Sequence, residues 1–593
     1  MMLSLLLVVL GNLGGAQGTI GNGTKPHIVF VLTDDLGWNS VWNNVDIHSP
    51  TINYLATDGV KLTSHYVYRF CSPTRAAFLT GRSPYKLANI RSNILPITRP
   101  ESTDLRFTML PKRLREAGYR SYQIGKWHQG FALKEMLPVS RGFDESYGFL
   151  AGGEDHFTQV NMRCPAWGKG AYGDVTDYWE QGGPAPISGR AISQCSVPVA
   201  DRHACPLFTV ISRNTSSESA LQHCASGSFA NCAFDNQTRT CFQCKTKRYT
   251  GFDFCAKAVA VIERHAEQYR DKPLFMYLAL HNTHAPVEAP DEFKAMYKYD
   301  LDKRNTFDAM VSVVDSTVAN VTTALKAAGM WENTLFVWTT DNGSPCQVAG
   351  SNAPLRGNKG SGWEGGTRVP ALVNGGVLPD TMRGKTLDGI IAIWDYFATF
   401  LHLAAVDPAE PNQQSPAPVD SHNMWPYLSG VAVSSPRTEI VFDHLMFDQV
   451  FTGACMAEHN VTQIMPCSGT GSLRVGDYKL MVGTFGFAGH YGHFSPNSSW
   501  NPESQYLTLC SVARPCLFNV KEDVAEHHDL SEEHPEIVER LLKRFHAYST
   551  EYHPGSEEPK LRQQEYCHAA LHNGGFATHG WGEAHVHDDE FVV

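Results

Sequence analysis

Short, continuous runs of apolar β-forming residues recur along the chain, and helical stretches lie between them. The first run is HIVFVL at 27–32, and later ones are LFMYLAL at 274–280 and TLFVWTT at 334–340. Runs that are apolar at every position indicate strands buried on both faces. Because helices alternate with them, they predict a large, mostly parallel sheet sandwiched by helices, which is the α/β class.

The intervening helices are marked by their periodicity and by the glycines that end them. We predict helices near 109–117, near 254–270 and from Thr306 to Ala328, and a further strand near 119–124. In sheets of this kind, ligands bind beyond the carboxyl ends of the strands. Functional residues are therefore expected directly after the strands.

The pattern changes in the last third of the chain. A proline-rich stretch at 407–420 indicates a linker or surface loop, and isolated strands such as Ser472–Val482 and a helix near 533–547 follow it. They predict a smaller C-terminal α+β domain with an antiparallel sheet. The predicted division is a signal peptide at 1–18, a large α/β domain at 25–420, the smaller domain at 421–550, and a disordered, histidine-rich tail at 568–593.

Several features indicate the secretory pathway. The apolar start is too short to span a bilayer and is typical of a cleaved signal peptide, and no later segment is predicted to be a membrane span. Six of the seven Asn-x-Ser/Thr sequons predict glycosylated surface positions, at Asn22, Asn214, Asn236, Asn320, Asn460 and Asn497. The seventh, at Asn342, is assigned to the candidate site instead.

The 15 cysteines also fit an oxidising compartment, and eight of them lie within 164–255. We interpret this stretch as a disulfide-stapled insert in the α/β domain. Cys241 and Cys244 have the spacing of half a zinc site, which is the alternative, but no matching second pair is evident. The net charge of −11 argues against nucleic acid as a partner.

Two of the predicted buried strands run directly into polar ligand-type residues. Asp34 and Asp35 follow the first strand, and Asp341 and Asn342 follow the strand at 334–340. Adjacent acids after a strand often only form turns. Three carboxylates and an amide oxygen at one sheet edge, however, form a hard-oxygen set suited to Ca²⁺ or Mg²⁺.

A reactive side chain is predicted at a helix N-terminus in CSPTRAAFLTGR. Ser72 is the expected N-cap, Pro73 suits the first turn and Gly81 ends the helix, so Cys71 lies at its positive end. Arg75, one turn later, faces the same way and completes an anion site. The alternative is a buried or disulfide-bonded cysteine beside a helix cap.

Further cationic and imidazole side chains follow other predicted strands. Lys126 and His128 lie in GKWH after the strand near 119–124, and His284 lies in HNTHAP after the strand at 274–280. Lys359 lies in the glycine-rich segment LRGNKG. A single histidine is usually structural, but both of these histidines follow predicted strands at the ligand edge of the sheet.

Together these segments resemble the sulfatase family of the alkaline phosphatase-like superfamily, over roughly residues 25–545. The motifs that carry the resemblance are C-x-P-x-R followed by T-G-R, TDDLGWN, GKWHQG and PLRGNKGSGWEGG, and they are most similar to the arylsulfatase B (N-acetylgalactosamine-4-sulfatase) group. The 164–255 insert and Gln129, in place of the usual leucine of G-K-W-H-L-G, depart from the family pattern.

The resemblance implies an activity and a role for each candidate residue. Cys71 would be converted by a formylglycine-generating enzyme to formylglycine, whose hydrate is the nucleophile of sulfate ester hydrolysis. Arg75 and Lys126 would hold that hydrate, and Lys126 would also bind the substrate. His128, His284 and Lys359 would meet the sulfate and leaving group, with His128 as the base for the hydrate. The implied Ca²⁺ ligands, with Mg²⁺ the less favoured ion, are Asp34, Asp35, Cys71, Asp341 and Asn342.

The implied substrate is a sulfated carbohydrate, such as one bearing N-acetylgalactosamine 4-sulfate, or an aryl sulfate. The implied location is lysosomal or extracellular. Three alternatives remain open from the sequence. They are a phosphodiesterase or phosphonate hydrolase of the same superfamily, a non-catalytic secreted glycan-binding protein, and a thiol enzyme that uses unmodified Cys71.

Overall fold

A computed structural model defines most of the predicted α/β domain and part of the C-terminal region. The described residues are 24–42, 44–87, 100–165, 172–180, 183–184, 208–212, 232–235, 240–244, 249–299, 301–345, 348–442, 471–485, 508–510, 514–549, 563–572 and 577. The predicted signal peptide and five of the six sequons predicted to be glycosylated lie outside them. Asn320 is described; it is partly buried in a helix, and its amide donates to the Ser316 carbonyl at 2.7 Å.

The strands, in chain order through the large domain, are β1 (His27–Thr33), β2 (Val60–Leu62), β3 (His65–Tyr66), β4 (Arg120–Lys126), β5 (Glu145–Phe149), β6 (Val160–Pro165), β7 (Tyr172–Thr176), β8 (Trp179–Glu180), β9 (Gly183–Pro184), β10 (Phe208–Ser212), β11 (Cys232–Asp235), β12 (Thr240–Cys244), β13 (Leu274–Ala279), β14 (Thr334–Thr340), β15 (Ala371–Asn374), β16 (Lys385–Leu387) and β17 (Ile391–Ala392). The C-terminal strands are β18 (Glu439–Val441), β19 (Gly471–Val475), β20 (Tyr478–Phe485), β21 (Thr508–Cys510) and β22 (Cys516–Asn519). The α-helices are Pro50–Asp58, Cys71–Thr80, Leu110–Glu116, Thr250–Gln268, Asp291–Lys294, Asp302–Ala327, Glu364–Thr367, Asp395–Leu403, Trp425–Leu428, Pro535–Ser549 and Gln563–His572.

The large sheet has ten strands in the order β16-β2-β15-β14-β1-β13-β4-β5-β8-β9. Its five central strands, from β14 to β5, are mutually parallel. Strand β15 and the edge strands β8 and β9 are antiparallel to their neighbours. The predicted α/β class, with a mostly parallel sheet, is therefore confirmed.

Helices cover both faces of this sheet, as the uninterrupted apolar runs predicted. In β1, Ile28, Phe30 and Leu32 belong to one core, while Val29 and Val31 belong to the other. The first core is covered by the helices at 71–80 and 395–403, and the second by those at 250–268 and 302–327. A strand in such a position has no solvent-facing side, so both alternate sets of its side chains are apolar.

The C-terminal sheet is antiparallel and has five described strands, in the order β18-β19-β20-β21 with β22 also paired to β20. The prediction of one strand at 472–482 is wrong, because these residues form a hairpin of β19 and β20. At its turn, Gly476 adopts the left-handed conformation that a tight turn needs. The Pro535–Ser549 helix packs on this sheet through Leu541 and Phe545. Both predicted features of the smaller domain, the antiparallel sheet and the helix, are present.

The cysteine-rich stretch contains the hairpin β6–β7 and the three-stranded sheet β10-β12-β11. Most of its cysteine side chains lie outside the described residues, as does residue 578 onward of the predicted tail. The helix Gln563–His572 includes the first residues of the predicted tail, and its Tyr566 is buried in the main core. Among the described helices, none is long and apolar enough to cross a membrane.

Candidate active site

The register of two neighbouring strands brings the predicted metal ligands together. Thr33, the last residue of β1, is paired with Thr340, the last residue of β14. Asp34 and Asp35 therefore emerge beside Asp341 and Asn342, and the Asp35 amide donates to Asp341 Oδ1 at 3.2 Å. All four side chains are buried.

The strands on the other side of β1 deliver the remaining strand-end residues. Leu32 is paired with Ala279 of β13, and Ala279 is paired with Gly125 of β4. Lys126 is the last residue of β4, two residues beyond the predicted strand end, and its side chain reaches back across β13 to Asp34. The parallel sheet thus gathers side chains from four strands at one edge.

The helix that carries the predicted nucleophile begins at Cys71, with Phe70 as its N-cap, so the prediction of Ser72 as the cap is wrong. Gly81, in the left-handed conformation at φ 67°, ends the helix as predicted. Cys71 is buried and carries a free thiol, so it is not paired in a disulfide. Its Sγ and one carboxylate oxygen each of Asp34 and Asp341 lie within 4.8 Å of one another.

Each of the three carboxylates is paired with a cationic side chain. Lys126 Nζ lies 2.6 Å from Asp34 Oδ2, and Lys359 Nζ lies 2.5 Å from Asp35 Oδ1. The third cation, Arg75, lies 2.7 Å from Asp341 Oδ2. The three negative and three positive side chains balance within one small, almost dry volume, where an unpaired charge would be costly.

Two oxygens in this cluster have no hydrogen-bond donor. Asn342 directs its amide nitrogen to Asp35 Oδ1 at 2.6 Å, and its own Oδ1 is buried without a partner. Asp34 Oδ1 is likewise buried and unpartnered. Buried acceptors are normally satisfied, so two orphaned oxygens beside two further carboxylates fit a bound cation. Asp34, Asp35, Asp341 and Asn342 are the residues that could hold it, with Cys71 at its side.

The pKa values follow from burial and from these charges. Burial raises the pKa of Asp35, but Lys359, His284 and Lys126 outweigh it and lower that pKa to about 2. Burial and then the charge of Asp34 raise the pKa of Asp341. Burial raises the pKa of the Cys71 thiol, although Lys126 and Lys359 oppose that effect. The unmodified thiol is therefore held in its protonated form.

The two candidate histidines border the same cluster. His284 Nε2 lies 3.9 Å from Asp35 Oδ2, and burial, reinforced by Lys126, lowers the pKa of His284 to about 3. His128 is buried, and its amide donates to the Leu150 carbonyl. Both Asp35 and His128 adopt positive φ values, of 59° and 53°, which are strained for residues other than glycine. Strain of this kind at two strand ends is typical of functional sites.

A pair of glycines that sequence reasoning did not identify makes room for the histidines. A Cβ on Gly152 would lie 2.7 Å from the His128 ring, and one on Gly153 would lie 3.0 Å from the His284 ring. These glycines follow strand β5 at the same sheet edge. No strand was predicted at 145–149, so the sequence carried no signal that placed these glycines at the site.

Gln129, the departure from the family motif, is buried and joins two parts of the site. Its side-chain amide donates to the carbonyls of Ser72, at 3.0 Å, and His128, at 2.6 Å. Its carbonyl oxygen accepts from the Thr103 hydroxyl. A leucine could make none of these bonds, so in this chain Gln129 ties the helix that begins at Cys71 to the segment of His128.

Comparison with known proteins agrees with this geometry. The sulfatase family profile matches residues 26–406, and the chain belongs to this family. Arylsulfatase J of Mus musculus is 29% identical over 556 residues, which cover 92% of this chain and 79% of that protein. The chain is thus an arylsulfatase-like hydrolase of sulfate esters.

Solved structures share the fold. The crystal structure of Ps i-CgsB in complex with k-i-k-neocarrahexaose has a TM-score of 0.63 and 23% identity, and the match covers 91% of this chain and 96% of that one. The PsFucS1 sulfatase from Pseudoalteromonas sp. has a TM-score of 0.58 and 21% identity, over 91% of this chain and 93% of that one.

Proposed function

We propose that this sulfatase hydrolyses sulfate esters with formylglycine derived from Cys71 and a divalent cation, Ca²⁺ in preference to Mg²⁺. The observation that carries the proposal is the cluster around Cys71. A buried free thiol at a helix N-terminus lies within 4.8 Å of Asp34 and Asp341 oxygens, beside two orphaned acceptor oxygens. A reactive group at residue 71 would share one small volume with the cation and the substrate.

The cation would be held by Asp34, Asp35, Asp341 and Asn342, with residue 71 as a further ligand. When bound, it supplies positive charge that offsets the negative oxygens of a sulfate ester. Lys126 and Lys359, whose ammonium groups lie 2.6 Å and 2.5 Å from Asp34 and Asp35, would bind the anionic substrate.

Formylglycine hydrate supplies two hydroxyls on one carbon, one to attack sulfur and the other to release sulfate afterwards. Arg75 and Lys126 hold the hydrate, since both side chains are buried next to Cys71 and the acids that surround it. His128 takes the proton that the second hydroxyl loses. His284 and Lys359 bind the sulfate and place a proton donor at the leaving oxygen.

The protonated state of Cys71 argues against the thiol enzyme. A cysteine nucleophile needs a lowered pKa, and burial raises the pKa of this thiol. The non-catalytic alternative is disfavoured because no residue type required at the site is missing. A phosphodiesterase or phosphonate hydrolase would use the same kind of site. Only the preferred substrate, and not the geometry, distinguishes it from a sulfatase.

We propose a sulfated sugar resembling N-acetylgalactosamine 4-sulfate as the natural substrate class, with aryl sulfates as small substrates. The similarity of the motifs to the arylsulfatase B group supports this choice. The proposed location is the secretory pathway, ending in the lysosome or outside the cell, with the formylglycine-generating enzyme as a partner during synthesis. The Cys510–Cys516 disulfide and the disulfide-bonded Cys255 and Cys567 support it.

The test combines mass spectrometry with a substrate panel on protein made through a secretory pathway. Tandem mass spectrometry of the Cys71 peptide should show the aldehyde or its hydrate. The same preparation should hydrolyse an aryl sulfate faster than the matching aryl phosphate and phosphonate, and should release sulfate from 4-sulfated in preference to 6-sulfated N-acetylgalactosamine. An intact thiol in active protein overturns the formylglycine assignment, and preferred cleavage of the phosphate or phosphonate overturns the sulfatase substrate.

A further inference from the structure

The segment 356–364, which carries Lys359, makes contacts with the C-terminal domain as well as with the active site. On the active-site side, the Lys359 and Gly360 amides donate to the carbonyls of Ser344, at 3.4 Å, and Arg69, at 2.9 Å. The Gly343 amide, next to Asn342, donates to the Gly366 carbonyl at 3.1 Å. A displacement of this segment would therefore move Lys359 and the residues after β14, which include Asn342.

On its other side the segment is held by a buried charged cluster. Lys479 Nζ, on β20, lies 2.9 Å from Glu364 Oε1 and 2.9 Å from Glu526 Oε1, and all three side chains are fully buried. Glu526 Oε2 accepts from the Glu364 backbone amide at 2.8 Å. Glu364 Oε2 accepts from the Tyr66 hydroxyl at 2.6 Å. Two residues of the C-terminal domain thus hold both the backbone and the side chain of Glu364.

Apolar and cation–π contacts reinforce the same attachment. The indole of Trp363 is buried with Met481, Phe518 and the Cys510–Cys516 disulfide. The guanidinium of Arg356 lies 3.8 Å from the centroid of the Trp363 ring. Arg356 also donates to the Glu526 carbonyl at 3.1 Å. The segment 356–364 is therefore anchored at both ends, and Lys359 lies between the anchors.

We propose that Glu526 is a positioning residue of the sulfatase reaction, which acts by holding the 356–364 segment so that Lys359 reaches the substrate. Glu526 is far from Lys359 in the chain and belongs to the smaller domain, so this domain contributes to catalysis by placing an active-site lysine. The inference rests on the proposed role of Lys359 in binding the sulfate or the leaving group.

Full-length protein is tested in a double-mutant cycle of Glu526→Ala and Lys359→Ala, with aryl sulfate hydrolysis as the measurement. Misplacing a binding group by about 1 Å lowers rates by up to about 100-fold, so Glu526→Ala alone should lower kcat/KM by about 10- to 100-fold. In the Lys359→Ala background the same change should have almost no further effect, because its action passes through Lys359.

A rescue variant and a stability control complete the experiment. Glu526→Gln keeps an acceptor for the Glu364 amide, and burial already raises the pKa of Glu526 to about 7, so this variant should recover most of the activity. Leu541→Ala destabilises the C-terminal domain from a buried position on its helix, in an apolar cluster separate from the one that holds Trp363. It should lower the melting temperature at least as much as Glu526→Ala while kcat/KM stays near the parent value.

The outcomes separate the two proposals. If Lys359→Ala alone leaves kcat/KM unchanged, the role of Lys359 is wrong and the positioning role fails with it. If Lys359→Ala lowers the rate but the two losses multiply, Lys359 keeps its role and Glu526 does not act through it. Equal loss of activity in Leu541→Ala would also overturn the inference, by reducing the effect to stability of the domain.

Discussion

Arg75 directs both Nε and Nη2 to one carboxylate oxygen of Asp341, at 3.0 Å and 2.7 Å, and neither side chain is exposed. The pair joins the Cys71–Thr80 helix to the residue that follows β14. Its two members are 266 residues apart in the chain. It fixes the distance between the residue at position 71 and the carboxylates that would hold the cation. Breaking such a buried pair leaves an uncompensated charge, at a cost of about 3–5 kcal/mol.

Replacing Asp341 by asparagine should weaken cation binding, and it should also lower stability, because the buried guanidinium of Arg75 loses one charged partner and keeps only Asp34, at 3.5 Å. Asp341→Asn keeps an oxygen for Arg75 but removes a negative charge from the cation site, so we expect cation content to fall and aryl sulfate turnover to drop on the order of 100-fold or more. Atomic spectroscopy measures the first and a rate assay the second. Asp380→Asn, at a carboxylate 97% exposed, is the matched control and should change neither. Unchanged metal content and rate in Asp341→Asn would contradict the proposed ligand set.

Adding one methyl group at Gly152 should disturb the site without disturbing the fold. The new Cβ would lie 2.7 Å from the His128 ring, so the imidazole must move, and we expect kcat to fall by about 10- to 100-fold in Gly152→Ala. Gly118→Ala is the control. Its φ of 86° makes alanine strained, at a cost of roughly 1–2 kcal/mol, but nothing lies within 4 Å of the new Cβ. Activity should be retained there, and equal losses in both variants would exclude a specific effect on His128.

The large sheet was predictable because buried parallel strands leave a strong local signal. Residues 334–340 were predicted as a strand and form β14 with those bounds. The residues around Gly476 predict a single strand, because apolar residues stand on both sides of the two-residue turn. Ser72 is predicted as the N-cap because it is a preferred cap residue, whereas the helix begins at Cys71 with Phe70 as its N-cap.

The candidate residues of the site were predictable from local motifs, but their contacts with one another were not. Asp34 and Asp341 carry their signal in the local pattern, since each directly follows an apolar run. Their pairing with Lys126 and Arg75 depends on strand order and on side-chain reach, which no local pattern reports. Glu526, 162 residues from Glu364, has no signal in the sequence at all. Contacts that depend on how two domains pack are fixed by tertiary structure alone.

A buried histidine away from the proposed ligands gives a prediction for pH. Burial lowers the pKa of His65 to about 3, whereas an unfolded histidine titrates near 6.5. Between pH 6.5 and pH 3 the imidazole of His65 is therefore protonated in the unfolded chain but neutral in the folded protein. The contribution of neutral His65 to the free energy of unfolding is fully present above pH 6.5 and is lost as the pH falls towards 3. The slope is about 1.4 kcal/mol per pH unit within that window.

His65→Leu removes this titration and should flatten the dependence of unfolding free energy on pH between 6 and 4 by about that slope. The measurement is denaturant unfolding of parent and variant at several pH values. The variant also loses the contact of the imidazole with the Thr339 hydroxyl, which lowers stability equally at every pH. Parallel curves for the two proteins would show that His65 is not held neutral by the fold.

Cys71→Ser tests whether two hydroxyls on one carbon are needed. The substitution keeps residue 71 at the first position of its helix and in the same buried volume beside Asp34 and Asp341. Serine has a single hydroxyl, so it can attack sulfur once, and the leaving alcohol departs with a proton. No second oxygen on that carbon is then available to expel sulfate. We expect the variant to be inert or to stop after one turnover as a stable serine sulfate.

Intact-mass measurement after incubation with an aryl sulfate would show the added sulfate group, and a stoichiometric burst of the phenol would accompany it. Cys71→Ala, which has no hydroxyl, is the control and should show neither. Because both variants bury a small side chain in place of the thiol, a difference between them reports on the hydroxyl and not on packing. Sustained multiple turnover by Cys71→Ser would contradict the hydrate as the nucleophile. It would indicate that an ordinary hydroxyl or a water molecule attacks sulfur and that no aldehyde is needed for the next turnover.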